Sequence, residues 1–205
     1  RYMFTVFVTG ALASGKHAAC AYLAQQGFVH IDLDTMAKEL LCEQPVQELL
    51  QEAYGSSICS ADGSIDKARL AEIAFVDESS SEPLNGIIWP LVGKRLSDLI
   101  VGNSCQLNSA GTQLVVEIPL LAEAPDLIAL ADTILCITAD ESIRVERALA
   151  RGMQLDDILR RMALQASDEQ RAAISDVVIE NNTSLAALYE KLDSWLELQR
   201  QEHMF

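Results

Sequence analysis

The sequence predicts a three-layer α/β protein, in which helices cover a parallel sheet that binds phosphate at one edge. Apolar runs rich in Val, Ile and Phe alternate with longer segments of helical periodicity, which is typical of such sheets. The first run is followed by the pattern Gly-x-x-x-x-Gly-Lys, from Gly10 to Lys16, and then by an apolar helix. A strand, a glycine-rich loop and a helix in this order are the context of a phosphate-binding loop.

The first strand is expected at residues 4–10, the first helix at 18–24 and the second strand at 28–32. Parallel strands joined through a helix bind their ligands at the carboxyl edge of the sheet. Gly10 and Asp32 end these two strands, so both fall where a ligand would bind. Together with the glycine-rich loop, this order predicts the P-loop NTPase fold.

The remaining strands of the sheet are predicted at residues 114–119, 133–138 and 176–179. A last helix over 185–196 carries apolar residues on one face, which we expect to pack on the sheet rather than against a partner. The chain is therefore predicted to form a single domain. Its core is expected to comprise residues 1–34, 113–140 and 170–205.

Residues 35–112 do not alternate with strands, which predicts a helical lobe inserted into the core to hold the acceptor substrate. Helices are expected at 35–41, at 64–75 and at 84–100, the last interrupted at Pro90. Polar segments at 78–83 and 102–112 are expected to be loops.

An arginine-rich region follows the fourth strand. Helices are predicted at 141–150 and 155–164, joined around Gly152, and they suggest a mobile lid over residues 141–169 that closes on phosphates. The alternative is a helix surface of ion pairs, and the sequence does not decide between the two. Six of the chain's 15 Lys and Arg residues lie between positions 144 and 171: Arg144, Arg147, Arg151, Arg160, Arg161 and Arg171.

The composition of the chain limits which classes of partner we expect it to bind. The net charge of −15 disfavours nucleic acid and anionic membranes. No apolar run approaches the roughly 20 residues that span a bilayer. The five cysteines show no C-x-x-C spacing, which argues against a disulfide framework or a cysteine zinc site. We therefore expect a cytoplasmic protein. Its expected partner is a small molecule, and its expected state is a monomer or weak oligomer.

The loop itself supplies the candidate phosphate ligands, with Lys16 reaching the terminal phosphates as a point charge. The residue after this lysine is normally Ser or Thr, whose hydroxyl binds Mg²⁺, but here it is His17. No side chain is expected to bind the metal directly. At the end of the second strand, Asp32 and Asp34 could act as a general base or hold Mg²⁺ through water, or Asp34 could cap the next helix.

Together these motifs resemble the dephospho-coenzyme A kinase family, and the resemblance covers nearly the whole chain. No single motif decides it, but eight occur in the family's order and spacing. They are Gly10 to Lys16, Ile31-Asp32-Leu33-Asp34, Asp62-Gly63-Ser64-Ile65-Asp66, Leu84-Asn85-Gly86-Ile87, Trp89-Pro90-Leu91-Val92, Ile118-Pro119-Leu120-Leu121 with Glu123, Arg147 to Arg151, and Ser175 to Asn181.

The resemblance implies ATP-dependent phosphorylation of the ribose 3′-hydroxyl of dephospho-coenzyme A, with ATP and Mg²⁺ as cofactors. Asp34 matches the position that orients or deprotonates the attacking hydroxyl. Lys16, Arg147 and Arg151 match the residues that neutralise phosphate charge, and Asn181 lies where the family contacts adenine. The nucleotide contacts implied by the resemblance are Thr9, Gly10, Ala11, Leu12, Ala13, Ser14, Gly15, Lys16, His17 and Asn181.

Several positions depart from the family pattern. His17 replaces the hydroxyl, Ala11 and Ala13 replace glycines, Trp89 replaces a histidine, and Glu117 stands where the family often has Asp. An active dephospho-coenzyme A kinase is the leading interpretation. Two alternatives remain: a catalytically weakened paralogue that binds nucleotide or a coenzyme A-like ligand, and another small P-loop kinase for a nucleoside or nucleotide.

Overall fold

The computed structural model describes residues 3–74, 76, 78–106, 113–118 and 125–203. The chain divides into two compact units, one of residues 1–32 with 102–205 and the other of residues 33–101. The first unit contains the whole sheet and the phosphate loop. The second unit is helical.

The sheet has five parallel strands in the order β2-β3-β1-β4-β5. This confirms the predicted α/β class with a parallel sheet. Its core strands are buried on both faces, and so they are apolar without alternation. The strands are β1 Phe4–Gly10, β2 Phe28–Asp32, β3 Gln113–Glu117, β4 Thr133–Thr138 and β5 Val177–Glu180.

The register of the strands brings their polar ends together. Glu117 at the end of β3 is paired with Val8 of β1 on one side and with Asp32 of β2 on the other. On the far side of β1, Gly10 is paired with Ile137 of β4. Gly10 and Asp32 therefore lie at the same carboxyl edge, as predicted, and Glu117 lies between their strands.

Helices flank this sheet. The last helix packs on the sheet, as the periodicity predicted, because Leu192 and Trp195 join one buried cluster with the first helix and the strands. On β4, Leu135 and Ile137 belong to this cluster, so Cys136 points to the opposite face, where the helix of residues 168–173 contacts β1 and β4. The helices of this unit are α1 Lys16–Gln25, α6 Glu141–Ala150, α7 Leu155–Leu164, α8 Asp168–Ala173 and α9 Leu185–His203.

The second unit corrects two expectations. Residues 78–83 are helical rather than a loop, and Pro90 does not interrupt the helix. A proline inside a helix costs about 3 kcal/mol, but burial of Ile88, Val92 and Leu96 on the same helix offsets that cost. The helices that begin in this unit are α2 Leu33–Leu40, α3 Gln44–Tyr54, α4 Lys67–Ala74 and α5 Glu78–Gln106.

Some expectations fall on undescribed positions. The end of the predicted strand at 119 and residues 107–112 of the predicted loop lie outside the described residues. Residues 102–106 are helical rather than a loop, because α5 extends to Gln106. Across the described ranges, no helix combines the length and apolarity that crossing a bilayer requires.

Candidate active site

Two glycines let the phosphate loop pass close to its neighbours. A Cβ on Gly10 would lie 2.5 Å from both the Ile137 carbonyl oxygen and Ser14 Oγ. Gly15 has a φ of 107°, and a Cβ there would lie 2.2 Å from Asn181 Nδ2. The two pattern glycines are therefore required by packing, and Gly15 is also required by its backbone conformation.

Asn181 anchors the loop from the end of β5. Its side-chain Nδ2 donates to the Ser14 carbonyl at 2.8 Å, and its backbone N–H donates to the Thr138 carbonyl at 2.8 Å. The residue is only 3% exposed, so both hydrogen bonds are shielded from water. The structure thus places the predicted adenine residue against the phosphate loop, and its contact with adenine stays a prediction.

The alanines that replace glycines behave differently from each other. Ala13 has a φ of 59° and is the one non-glycine residue in the described ranges with a positive φ. This conformation costs about 1–2 kcal/mol for a residue with a Cβ. The methyl group packs against Ala148 and Ile158 of the arginine-bearing helices, which offsets part of that cost. Ala11 is buried without a positive φ.

Two buried polar atoms without partners lie on this loop or directly before it, and a third is on α6, which packs against Ala13 through Ala148. Thr9 Oγ1, Ser14 Oγ and Arg147 Nη1 are all buried and make no hydrogen bond within the described part of the chain. Helix α1 begins at Lys16 with Gly15 as an N-cap that provides no side-chain hydrogen bond, so its first N–H groups are also available. The unpaired groups of the loop and the free N–H groups at the start of α1 fit an anionic, oxygen-rich ligand such as a nucleotide phosphate.

The arginine-rich region combines the two alternatives left open by the sequence. Arg144 and Arg171 both pair with Asp168, at 3.8 and 2.8 Å, and exposed Arg160 pairs with Asp157 at 2.6 Å. Burial lowers the pKa of Arg171, and Asp168 opposes that shift. For these three arginines the ion-pair interpretation is correct.

The other three arginines, Arg147, Arg151 and Arg161, form no ion pair within the described residues. Arg147 Nη2 donates to the Thr183 carbonyl at 3.3 Å, which leaves Nη1 unpaired. Arg151 is exposed and lies one helical turn after Arg147. The two arginines assigned to phosphate by resemblance are therefore still available for it.

The C-terminal end of α7 contacts the phosphate loop through a hydrogen bond. Gln165, the residue that ends α7, accepts a hydrogen bond from the Leu12 backbone N–H at 2.9 Å. No local signal in the sequence indicated this contact, since the two residues are far apart in the chain.

Beside the loop, the buried Glu117 carboxylate contacts three side chains. Its Oε1 lies 3.5 Å from Lys16 Nζ, and its Oε2 lies 3.0 Å from His17 Nδ1 and 3.2 Å from His30 Nε2. Glu117 is 5% exposed, so its negative charge is balanced mainly by these neighbours. Neither Glu117 nor His30 was among the predicted site residues, although a carboxylate at the end of an apolar strand was a usable signal.

This arrangement does not suit a magnesium ion bound directly by the protein. Mg²⁺ prefers six oxygen ligands in octahedral geometry, including the hydroxyl that normally follows the P-loop lysine. In this chain His17 takes that position and directs a nitrogen towards Glu117. The donor atoms around Glu117 are two imidazole nitrogens, an ammonium and the nearby Cys20 thiol.

The two aspartates of the second motif fall in different units. Asp32 ends β2 in the first unit, at the carboxyl edge and in register with Glu117. Asp34 is in the first turn of α2 in the second unit. A carboxylate in the first turn stabilises the helix through its dipole. Because α2 already begins at Leu33, Asp34 lies inside the helix and is not its N-cap, so that alternative from the sequence was wrong.

A phosphate loop with these unpaired groups, placed beside arginine-bearing helices at the edge of a parallel sheet, defines a P-loop kinase. Comparison with known proteins narrows this class. The family model for dephospho-CoA kinase matches residues 4–187. This chain therefore belongs to the dephospho-CoA kinase family.

Individual relatives agree with the family match. The dephospho-CoA kinase of Thermobifida fusca is 34% identical, and the alignment covers 98% of this chain and 99% of that protein. The dephospho-CoA kinase of Mycolicibacterium paratuberculosis is 37% identical over 92% of this chain, which spans about half (46%) of that relative's length. A crystal structure of a protein from Thermus thermophilus superimposes on this chain with a TM-score of 0.77 and 26% sequence identity. The match covers 96% of this chain and 98% of the Thermus chain.

Replacing Gly15 with Ala should impair nucleotide binding. The new Cβ would displace Asn181 and strain the backbone, so we expect ATP affinity to fall by more than about tenfold. Isothermal titration calorimetry with ATP measures this. Gly27→Ala is the matched control, because Gly27 has a similar φ of 103° but nothing within 4 Å of the added methyl. Equal ATP affinity in the two variants would contradict the anchoring role of Asn181.

Proposed function

We propose that this protein transfers the γ-phosphoryl group of ATP to the ribose 3′-hydroxyl of dephospho-CoA, producing CoA and ADP. The observation that carries the proposal is the set of buried, unpaired polar groups around the phosphate loop, in a chain of the dephospho-CoA kinase family. Unpaired buried groups are costly, and phosphate oxygens supply the acceptors that these donors lack.

The loop and Lys16 would bind the phosphates of ATP. The available N–H groups at the start of α1 donate to phosphate oxygens, and the helix dipole favours their negative charge. Lys16 is held beside Glu117 at 3.5 Å, which keeps an ammonium group at the loop before the nucleotide binds. ATP would carry Mg²⁺ on its own phosphates, since the side chains at the loop are not a magnesium ligand set.

The reaction also requires that the negative charge on the transferred phosphoryl group be stabilised. In phosphoryl transfer the negative charge spreads over the equatorial oxygens of the γ-phosphate, and fixed cations lower the barrier. Arg147 has an unpaired, buried guanidinium nitrogen and belongs to the same helix that packs against Ala13 of the loop. Arg147 is therefore the best candidate for this role, with the exposed Arg151 as a second cation.

The acceptor requires a base. The attacking hydroxyl oxygen bonds to the γ-phosphorus while the bond to the β,γ-bridging oxygen breaks, and the hydroxyl proton passes to a carboxylate. Asp34 is our candidate for this base, by its match to the family pattern and its position two residues after the end of β2. The helical second unit would hold the pantetheine-bearing part of the acceptor.

The direct test is release of ADP from ATP, with and without dephospho-CoA. We expect acceptor-dependent turnover that Asp34→Asn lowers by roughly 10²–10⁴-fold, because the hydroxyl then lacks its base. Asp98→Asn is the control, since Asp98 is exposed and pairs with Lys94 at 2.7 Å. Turnover with a nucleoside or nucleotide acceptor but not with dephospho-CoA would contradict the proposed substrate and favour another small kinase.

Removing Arg147 should slow the chemical step. We expect Arg147→Ala to reduce kcat by roughly 10³-fold, as for other arginines that stabilise the transferred phosphoryl group, with a smaller change in KM for ATP. Steady-state kinetics of ADP release measure both constants. Arg160→Ala on α7 removes an arginine already paired with Asp157 and should leave kcat unchanged. A loss of the same size in both variants would argue against a specific role for Arg147.

His17 favours a second candidate, the weakened paralogue that binds nucleotide with little turnover, because this residue both replaces the usual hydroxyl and contacts Glu117. We expect His17→Ser to change kcat for dephospho-CoA by less than about tenfold, since an active kinase already operates with His17. The same ADP assay measures this. A wild-type protein that binds ATP without turnover, and gains turnover in His17→Ser, would establish the weakened paralogue instead.

A further inference from the structure

Four metal-binding side chains meet below the phosphate loop. Strand register places His30 opposite Val115 and Asp32 opposite Glu117, so His30 and Glu117 are diagonal neighbours on one face of the sheet. Helix α1 packs on β2 and β3 and brings His17 and Cys20 to the same place. The cluster therefore results from the fold of the first unit alone.

The spacing of these atoms is close to that of a metal site. Cys20 Sγ, a His30 ring nitrogen and a Glu117 carboxylate oxygen lie within 4.8 Å of one another. Zinc bonds of about 2.0–2.3 Å in a tetrahedron place ligand atoms roughly 3.3–3.8 Å apart. His30 Nε2 is already 3.2 Å from Glu117 Oε2, so a small inward movement of the thiol completes three ligands.

His17 can supply the fourth ligand from the solvent side. Its Nδ1 lies 3.0 Å from the same Glu117 oxygen that His30 contacts, and its side chain is 71% exposed. An exposed side chain can rotate towards an ion at little cost. The other carboxylate oxygen, Oε1, faces Lys16 at 3.5 Å, so an ion bound through Oε2 need not displace the lysine.

The ligand atoms of these side chains determine which metal ion the site prefers. Two imidazoles, a carboxylate and a thiol suit borderline ions such as Zn²⁺ and Co²⁺ and exclude Mg²⁺, which prefers oxygen. Hydrogen bonds from the two imidazoles to Glu117 account for their contacts without an ion. They do not account for the thiol, which is fully buried next to a carboxylate.

We propose that Cys20, His30 and Glu117, completed by His17, form a binding site for a divalent transition-metal ion of the zinc class at the phosphate loop. The site binds its ion in the absence of nucleotide, unlike a magnesium ion that arrives on ATP. It rests on the geometry of this cluster and not on the proposed kinase reaction, so it can be tested without turnover.

Cobalt is the probe, because Co²⁺ replaces Zn²⁺ in tetrahedral sites and absorbs visible light. Tag-free, nucleotide-free protein is titrated with Co²⁺. We expect one ion per chain with the intense visible bands of tetrahedral cobalt, and a near-ultraviolet charge-transfer band from the Cys20 thiolate. Zn²⁺ should abolish both bands at one equivalent, whereas millimolar Mg²⁺ should leave them unchanged.

Matched variants assign the ligands. His30→Gln and Cys20→Ala should each weaken Co²⁺ binding by at least about tenfold, and Cys20→Ala should also remove the charge-transfer band. The controls are His203→Gln at the end of α9 and Cys42→Ser, an exposed cysteine, and neither should change affinity. Equal loss in a control and its matched variant would overturn the site, and a wild-type complex without the thiolate band would overturn the assignment of Cys20.

A stability measurement covers the case in which a core variant misfolds. His17→Ser changes only an exposed side chain, so this variant should fold. Zn²⁺ should raise the Tm of the wild-type protein, since an ion that binds the native state stabilises it, and the rise should shrink in His17→Ser. No change in wild-type Tm at saturating Zn²⁺, or the same rise in both proteins, would overturn the proposed site.

Discussion

The phosphate loop is anchored to the end of the sheet by a hydrogen bond from the Asn181 amide to the Ser14 carbonyl. Asn181 follows the last strand, so this bond joins the C-terminal part of the chain to a loop near its start. It forms only because Gly15 has no side chain where the amide lies. The loop's shape is thus fixed by its own glycines and by a residue more than 160 positions away.

Local pattern predicted most of the fold. Apolar runs identified all five strands. The signal was clearest for β1, β3 and β4, because strands buried on both faces do not alternate with polar residues. The amphipathic face around Leu192 and Trp195 correctly placed the last helix on the sheet. The errors were in α5, where local propensity indicated a loop at 78–83 and a break at Pro90. Packing of Val92 and Leu96 keeps this helix continuous.

The site was predicted only where it is contiguous in sequence. The loop from Gly10 to Lys16 forms a recognisable pattern, and the family resemblance added Asn181, whose anchoring bond no pattern reveals. Glu117 and His30 are brought together by strand register, and Gln165 reaches Leu12 across more than 150 residues. Such contacts depend on how elements pair in space, which a pattern within one element does not contain.

The hydrogen bond between Gln165 and Leu12 has a consequence for ligand affinity. A ligand oxygen that needs the Leu12 N–H must compete with the Gln165 carbonyl oxygen for the same donor. A hydrogen bond of this kind contributes about 0.5–1.5 kcal/mol, so the competition can cost up to about tenfold in affinity. By thermodynamic reciprocity, a ligand that takes this donor weakens the attachment of α7 to the same extent. Gln165 thus competes, from within the protein, with a bound ligand for the Leu12 N–H.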